Sequence, residues 1–275
     1  MKKIKLLLTN ATGINSAKFN KHFNKDKGYS LYPPLSLTTV AAAVIGKVDD
    51  IEVELLDMNF ETHKYFSEND ESDLSSYDFM KNKVIEKIDE FQPDLVGISV
   101  LFSPAHNNAI AVANIVKEKN SKIQVVCGGV HTTFVYKRML EECRNIDFVF
   151  LYEAENTFPL FLEYLKGKVK FEDLKGLAWF DKNTNKTKLA PPAPLIENLD
   201  KLPIPTWDLV PLKKYSDYGR VGSVHMFGDI RKPTYMMQTV RGCVAQCTFC
   251  SVRSFYGKGV RSYSPKRVLE EIDYL

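Results

Sequence analysis

Three closely spaced cysteines are the residues of this sequence best suited to chemistry. Cys243, Cys247 and Cys250 have the spacing C-x3-C-x2-C within the segment RGCVAQCTFC. Thiolates at such spacings bind zinc or iron–sulfur clusters, so the pattern predicts a metal site. The chain has five cysteines, an odd number, and no secretory leader is predicted at its N-terminus. Both features disfavour a disulfide framework and favour a reducing compartment, the cytoplasm.

Two kinds of metal site are compatible with these thiols. A structural zinc site needs four ligands, but no histidine or further cysteine follows Cys250, and Cys127 and Cys143 lie in a different predicted domain. A four-iron cluster held by three protein thiolates leaves one iron with an open position, and open positions are typical of catalytic metal sites. The spacing therefore favours an iron–sulfur cluster, with zinc as the alternative.

Composition excludes several classes of partner. The 37 basic and 34 acidic residues give a net charge of +3, without the clustered basic face that nucleic-acid binding requires. No apolar run approaches the roughly 18 residues of a membrane helix. We therefore expect neither nucleic acid nor membrane as a partner. The hydrophobic fraction of 44% is sufficient for a sizeable core.

The elements that must position the cysteines begin with an α/β pattern. Apolar strands alternate with helices, and residues 60–78 are predicted to be a loop or insertion. Strands are predicted at 4–10, 51–57, 94–100, 122–129 and 147–155. Such near-continuous Val/Ile/Leu strands favour a doubly wound parallel sheet, flavodoxin- or Rossmann-like, with helices on both faces. Ligands of these sheets bind beyond the carboxyl ends of the strands.

From residue 168 the pattern changes. A β-hairpin is predicted over 176–190 and a proline-stiffened linker over 191–212. A strand over 233–240 then leads into the cysteines, and a helix is predicted over 264–275. The expected organisation is an α/β domain over 1–167, a connecting segment over 168–232 and a further unit over 233–275.

The cysteine segment resembles the signature loop of radical S-adenosylmethionine (radical SAM) enzymes. The resemblance rests on the spacing, on Phe249 before the last cysteine and on Arg241-Gly242 before the first. It implies that the three cysteines hold a [4Fe-4S] cluster whose open iron binds S-adenosylmethionine, and that Phe249 packs by the adenine. The reduced cluster would then generate a 5′-deoxyadenosyl radical. It also implies that 233–275 is the first βα unit of a partial TIM-like barrel, and that flavodoxin or ferredoxin donates the electron.

The rest of the chain resembles the cobalamin-binding subfamily of these enzymes, in which a flavodoxin-like domain precedes the barrel. The similar segments are YPPLSLTTVAAAV, PDLVGISV, VVCGGVHTTF, DFVFLYEAENTF and LDKLPIPTWDL. The resemblance implies cobalamin contacts from Thr9, Asn10, Ser99, Ser103, Gly128, Gly129, His131, Glu153 and Glu155. The chain has YEAE at 152–155 where the subfamily often has GEGE. Because D-x-H-x-x-G is absent, we expect cobalamin without a protein histidine on cobalt.

The expected function is therefore that of a cobalamin-dependent radical SAM enzyme, or of its N-terminal portion. It would methylate or rearrange an unactivated carbon of a small-molecule substrate that the sequence does not identify. One alternative is a non-catalytic cobalamin-binding module with a vestigial barrel. A second is a zinc-stabilised Rossmann-like protein. A nucleotide-binding dehydrogenase is disfavoured, because TNATGIN after the first strand lacks G-x-G-x-x-G.

Overall fold

A seven-stranded sheet forms the centre of the computed structural model, which describes residues 3–13, 20, 22, 24, 29–69, 71–219 and 235–275. The strand order is β2-β1-β3-β4-β5-β6-β7. The strands are β1 Ile4–Asn10, β2 Ile51–Leu56, β3 Leu95–Ser99, β4 Gln124–Gly128, β5 Phe148–Phe150, β6 Leu177–Asp181 and β7 Lys186–Leu189. The first five strands pair in parallel, which confirms the predicted doubly wound sheet.

Helices cover both faces of this sheet. They are α1 Leu35–Ile45, α2 Met58–Glu68, α3 Ser76–Phe91, α4 His106–Lys119, α5 Val130–Glu142 and α6 Thr157–Leu165. One core contains Leu37 of α1 and Phe161 of α6. The other core contains Phe66, Val112 and Met139, which belong to α2, α4 and α5. At the carboxyl ends of the parallel strands, where ligands of such sheets bind, Asn10, Ser99 and Gly128 keep partial exposure.

Helix α2 corrects the prediction of a loop over 60–78. Asp57 follows β2 and caps the helix, because its carboxylate accepts the N–H groups of Asn59 and Phe60 at 3.0 and 3.3 Å. The helix buries Met58 and Phe66. Its polar residues obscure the apolar period, so the acidic cap was the only clear local signal for a helix here.

The predicted hairpin over 176–190 is formed by β6 and β7, but it lies in the main sheet. Phe150 of β5 pairs with Leu177 of β6 in antiparallel fashion. The sequence placed this hairpin in the connecting segment after residue 167. In the structure the sheet continues through Leu189, because the backbone of β5 pairs with β6, and β7 is the edge strand.

The cysteines follow a short second sheet. Its strands are β8 Val240–Cys243 and β9 Gly259–Ser262, which pair in antiparallel fashion. Residues 235–239, predicted as strand, lie outside β8, and 233–234 lie outside the described residues. Three further helices lie in the described residues, α7 Tyr215–Tyr218, α8 Val252–Tyr256 and α9 Pro265–Tyr274. The predicted helix over 264–275 is confirmed, since Ser264 caps α9 by accepting the Arg267 N–H at 3.2 Å.

Buried His63 on α2 should make the stability of the fold depend on pH. Burial lowers the pKa of His63 to about 4, whereas an exposed histidine titrates near 6.5. Between those values the unfolded chain binds a proton that the folded chain does not, so stability falls as the pH falls from 6.5 to 4. The expected loss is about 3 kcal/mol. Urea unfolding at pH 7 and pH 4 should show a smaller loss in His63→Gln; equal losses in both proteins would contradict this.

Candidate cluster and cofactor site

The three cysteines lie on one surface loop, residues 243–250, which we call the cysteine loop. Cys243 is the last residue of β8 and is half-buried, as is Cys250, whereas Cys247 is exposed. All three are free thiols. The Ala245 N–H points to the Cys243 sulfur at 3.4 Å. Phe249, the predicted adenine contact, is 91% exposed and therefore available to a ligand.

The donor set suits an iron–sulfur cluster in chemistry and in accessibility. Three unpaired, reachable thiols on a single short loop are the ligand type that these clusters need. Over the described ranges, no three His, Cys, Asp or Glu side chains stand close enough together to hold a metal ion. The thiols therefore share a loop and would have to converge as a cluster is assembled.

Gly242 allows the tight backbone approach immediately before the first cysteine. Its φ of +92° lies in the region that favours glycine, and a Cβ atom there would lie 2.3 Å from the carbonyl oxygen of Gly259. The absence of a side chain at Gly242 thus allows β8 to pair with β9. A side chain at this position would displace β9 from the strand that carries Cys243.

Arg241 ties this strand to the end of the main sheet. Its guanidinium donates to Glu153 at 2.8 Å and to Glu155 at 2.5 Å, and all three side chains are buried. Burial opposes ionisation of Glu153, but hydrogen bonds from Arg261, the Ile196 N–H and Arg241 hold its pKa below the usual value. The two glutamates, predicted to contact cobalamin, are therefore engaged by arginine and not open at the strand-end surface.

Three other predicted contacts make internal hydrogen bonds at the strand ends. The Thr9 hydroxyl is buried and donates to the Leu56 carbonyl at 2.7 Å. The Asn10 amide donates to Asp57 at 2.7 Å. Ser99 shares a hydrogen bond of 3.0 Å with Ser36, and Ser99 keeps partial exposure. These residues fix the ends of β1 and β3, and Asn10 and Ser99 remain at the surface there.

The Gly128-Gly129 turn has a structural role that the sequence did not reveal. Gly129 has a φ of +118°, and a Cβ atom there would lie 2.6 Å from the Val100 carbonyl oxygen. A Cβ atom on Gly128 would meet only Phe150, at an ordinary 3.7 Å. The backbone freedom of Gly129 therefore brings the start of α5 against the end of β3, whereas Gly128 only makes an ordinary contact with Phe150.

His131 and Ser103 belong to a hydrogen-bonded row at the same edge. Ser103 lies 3.2 Å from Nδ1 of His131, whose Nε2 lies 2.9 Å from Nδ1 of His106. His106 in turn contacts Glu142 at 2.9 Å. Burial, His106 and Arg138 lower the pKa of His131. His106 and Glu142 were not predicted as site residues. The one feature of the sequence that points to them is their position on predicted helices next to Ser103 and His131.

Exposed apolar side chains accompany these polar groups. Leu101 and Phe102 lie on the loop after β3, and Phe134 lies on α5. Phe102 is 69% exposed, which is unusual for a phenylalanine. Apolar surface beside a few hydrogen-bonding groups is typical of sites for large organic cofactors. The edge therefore fits a ligand with an apolar face and amide groups, such as a corrin.

A family model and curated relatives match this chain. Residues 22–162, just over half of it, match the B12 binding domain. An uncharacterized methyltransferase of Pyrococcus horikoshii is 34% identical over 243 residues, 88% of this chain and 46% of the relative. The cytidylyl-2-hydroxyethylphosphonate methyltransferase of Streptomyces wedmorensis is 30% identical over 260 residues, 87% of this chain and 47% of the relative. The chain spans less than half the length of these two relatives.

Solved structures with the same fold bind the expected cofactors. The cobalamin-dependent S-adenosylmethionine radical enzyme OxsB, with aqua-cobalamin and S-adenosylmethionine bound, superposes with a TM-score of 0.70 at 20% identity. It covers 98% of this chain, which spans 31% of OxsB. The radical S-adenosylmethionine methyltransferase TsrM of Kitasatospora setae, with cobalamin and a [4Fe-4S] cluster bound, gives 0.64 at 17% identity, over 100% of this chain and 46% of TsrM.

The helices of the described residues are shorter or more polar than a bilayer span requires. The match over residues 22–162 agrees with the parallel sheet of the structure. The chain therefore belongs to the B12-binding domain family, with the fold of cobalamin-dependent radical S-adenosylmethionine enzymes.

Proposed function

We propose that the chain is the cofactor-binding portion of a cobalamin-dependent radical SAM enzyme. One observation carries the proposal: three free thiols lie on a loop that Arg241 ties to the carboxyl edge of the B12-binding sheet. Under this proposal the two cofactors would bind side by side. When bound, the reduced cluster supplies the electron that cleaves S-adenosylmethionine, and cobalamin supplies methyl transfer or related chemistry.

The residues of this chain would bind and orient these groups. Cys243, Cys247 and Cys250 would provide three thiolates, and exposed Phe249 would stack on the adenine. Cobalamin would lie on the surface formed by the ends of β3 and β4, with hydrogen bonds from Asn10, Ser99, Ser103, His131 and the Gly128 backbone and apolar contacts from Leu101, Phe102 and Phe134. The lowered pKa of His131 favours the neutral ring, which has one donor and one acceptor nitrogen. Because Ser103 and His106 contact these two nitrogens, a hydrogen bond to cobalamin would replace the contact with Ser103.

The names of the relatives support methylation or ring closure of carbon. They include a hopanoid C-3 methylase and anaerobic magnesium-protoporphyrin IX monomethyl ester cyclases. We propose a small-molecule substrate. We propose that it binds to elements that correspond to the part of the relatives that this chain does not cover. We further propose a flavodoxin- or ferredoxin-type electron donor, and the cytoplasm as the compartment, because free thiols and a labile cluster require reducing conditions.

Anaerobic reconstitution tests the proposal. The chain is purified without oxygen, incubated with iron, sulfide and hydroxocobalamin, desalted, and analysed for metal, sulfide and cobalamin. We expect about four iron and four sulfide per chain, retained cobalamin, and 5′-deoxyadenosine when dithionite and S-adenosylmethionine are added.

The other outcomes distinguish the alternatives. Retained cobalamin without iron would support a non-catalytic module. Zinc without iron or sulfide would support a zinc-stabilised Rossmann-like protein. Loss of both cobalamin and iron would overturn the proposal.

A further inference from the structure

A buried ion network joins the two cofactor regions. Glu153 and Glu155 follow β5, whereas Arg241 and Arg261 lie on β8 and β9. Arg241 donates to both glutamates at 2.8 and 2.5 Å, and Arg261 donates to the second oxygen of Glu153 at 2.8 Å. The side chains of Arg241, Glu153 and Glu155 are 4%, 2% and 8% exposed.

The network balances two positive charges against two negative ones. Buried charges tolerate little displacement, because separating them leaves an uncompensated charge in a medium that solvates it poorly. The planar guanidinium of Arg241 is also held by Gln238, which accepts from its Nε at 2.9 Å. Three contacts on one plane fix the orientation of the side chain and not only its distance.

The connecting segment takes part in the same network. The Ile196 N–H donates to Glu153 at 3.0 Å, and the Ile196 carbonyl accepts from Arg261 at 2.6 Å. Arg261 also donates to the Tyr256 carbonyl, at the end of α8, at 3.1 Å. The end of β5, the proline-rich segment and the turn after the cysteines therefore converge on Glu153.

Arg241 is two residues before Cys243, and the intervening Gly242 is packed against Gly259. A shift of the loop after β5 would thus be transmitted through Arg241 to the first thiol. Because Glu153 and Glu155 are nearly inaccessible, a contact with a large cofactor is a poor explanation for their position. Holding the strand that carries Cys243 explains both carboxylates.

We infer that Glu153 and Glu155 are positioning residues that hold the cysteine loop against the carboxyl edge of the B12-binding sheet through Arg241 and Arg261. The effect of these glutamates on cluster binding rests on the proposed function. Their effect on the position of the cysteine loop is independent of it, since that effect concerns the protein alone. The sheet that would bind one cofactor thereby sets the geometry of the ligands for the other.

Hydrogen–deuterium exchange of the full chain tests the effect on the loop. Glu155→Gln keeps the shape of the side chain but removes its charge, and Glu155→Asp keeps the charge. In Glu155→Gln, amides of 240–262 should exchange about tenfold faster than in the unmodified chain, with those of β1–β4 unchanged. Glu155→Asp should recover part of the protection.

A matched control uses another buried pair. Glu271 accepts from Arg267 at 3.2 Å within α9, and both side chains are buried. Glu271→Gln should leave exchange of 240–250 unchanged. Unchanged exchange in Glu155→Gln, or equal acceleration in Glu271→Gln, would overturn the inference.

Iron binding provides the second measurement. After anaerobic reconstitution, Glu155→Gln should bind iron about tenfold more weakly, and its reduced cluster should give an altered EPR spectrum, while retention of cobalamin is unchanged. Equal loss of cobalamin and iron would mean that the variant only unfolds the chain, against the inference. Absence of iron in the unmodified chain would instead contradict the proposed function, and the exchange result would still decide the inference.

Discussion

Replacing Cys243, Cys247 or Cys250 by alanine, one at a time, is expected to abolish the iron–sulfur cluster. Three protein thiolates are the fewest that leave a four-iron cluster with a single open position, so the loss of one leaves two irons without protein ligands. The structure shows no other thiol beside the cysteine loop within the described residues that could substitute. Iron and sulfide per chain after anaerobic reconstitution should fall to background in each variant.

The control is Cys143→Ala. Cys143 is buried, its sulfur donates to Asn114 at 3.4 Å, and burial raises its pKa. A thiol that resists ionisation is a poor metal ligand, so this variant should keep its iron. Cobalamin retention should be unchanged in all four variants. A cysteine-loop variant that kept a full complement of iron would exclude the assignment of these ligands.

Gly129→Ala is expected to destabilise the B12-binding sheet by about 3 kcal/mol or more, since its backbone lies in a region that only glycine adopts without strain. A Cβ atom at Gly129 would also lie 2.6 Å from the Val100 carbonyl oxygen, and backbone atoms cannot yield as a flexible side chain can. The end of β3 or the start of α5 would have to move. Thermal or urea unfolding of the variant measures the loss.

Gly128→Ala is the matched control, one residue earlier in the same turn. Its Cβ atom would make only an ordinary contact with Phe150 at 3.7 Å, so stability should change little. Equal stability of the two variants would refute the structural role of Gly129.

Much of the fold follows from local sequence pattern. The runs IKLLLTN, DLVGISV and KIQVVCGG are apolar because a strand of a parallel sheet is buried on both faces. Ser264 and Pro265 mark the start of α9 in the same local way. Helix α2 was missed because its residues are mostly polar, and the signal that remained was the Asp57 cap.

The roles of individual site residues depended on tertiary structure. Glu153 and Glu155 follow a strand whose carboxyl end lies at the ligand edge, and the family resemblance implied that they contact cobalamin. Their partner Arg241 lies 88 and 86 residues further along the chain, where no periodicity connects it to them. The same is true of His106, which only folding brings to His131.

The sequence by itself determined the alternating strands and helices, the doubly wound sheet and the set of three thiols, because these depend on residue types at short, regular spacing. Only the tertiary structure decided that Gly129 lets the start of α5 approach the backbone of Val100. It also decided that Glu153 and Glu155 bind Arg241 on the strand of Cys243. The physical reason is the separation along the chain: burial patterns and ligand spacings involve residues that are neighbours in sequence. Buried ion pairs and close backbone approaches arise between segments that meet only in the folded chain.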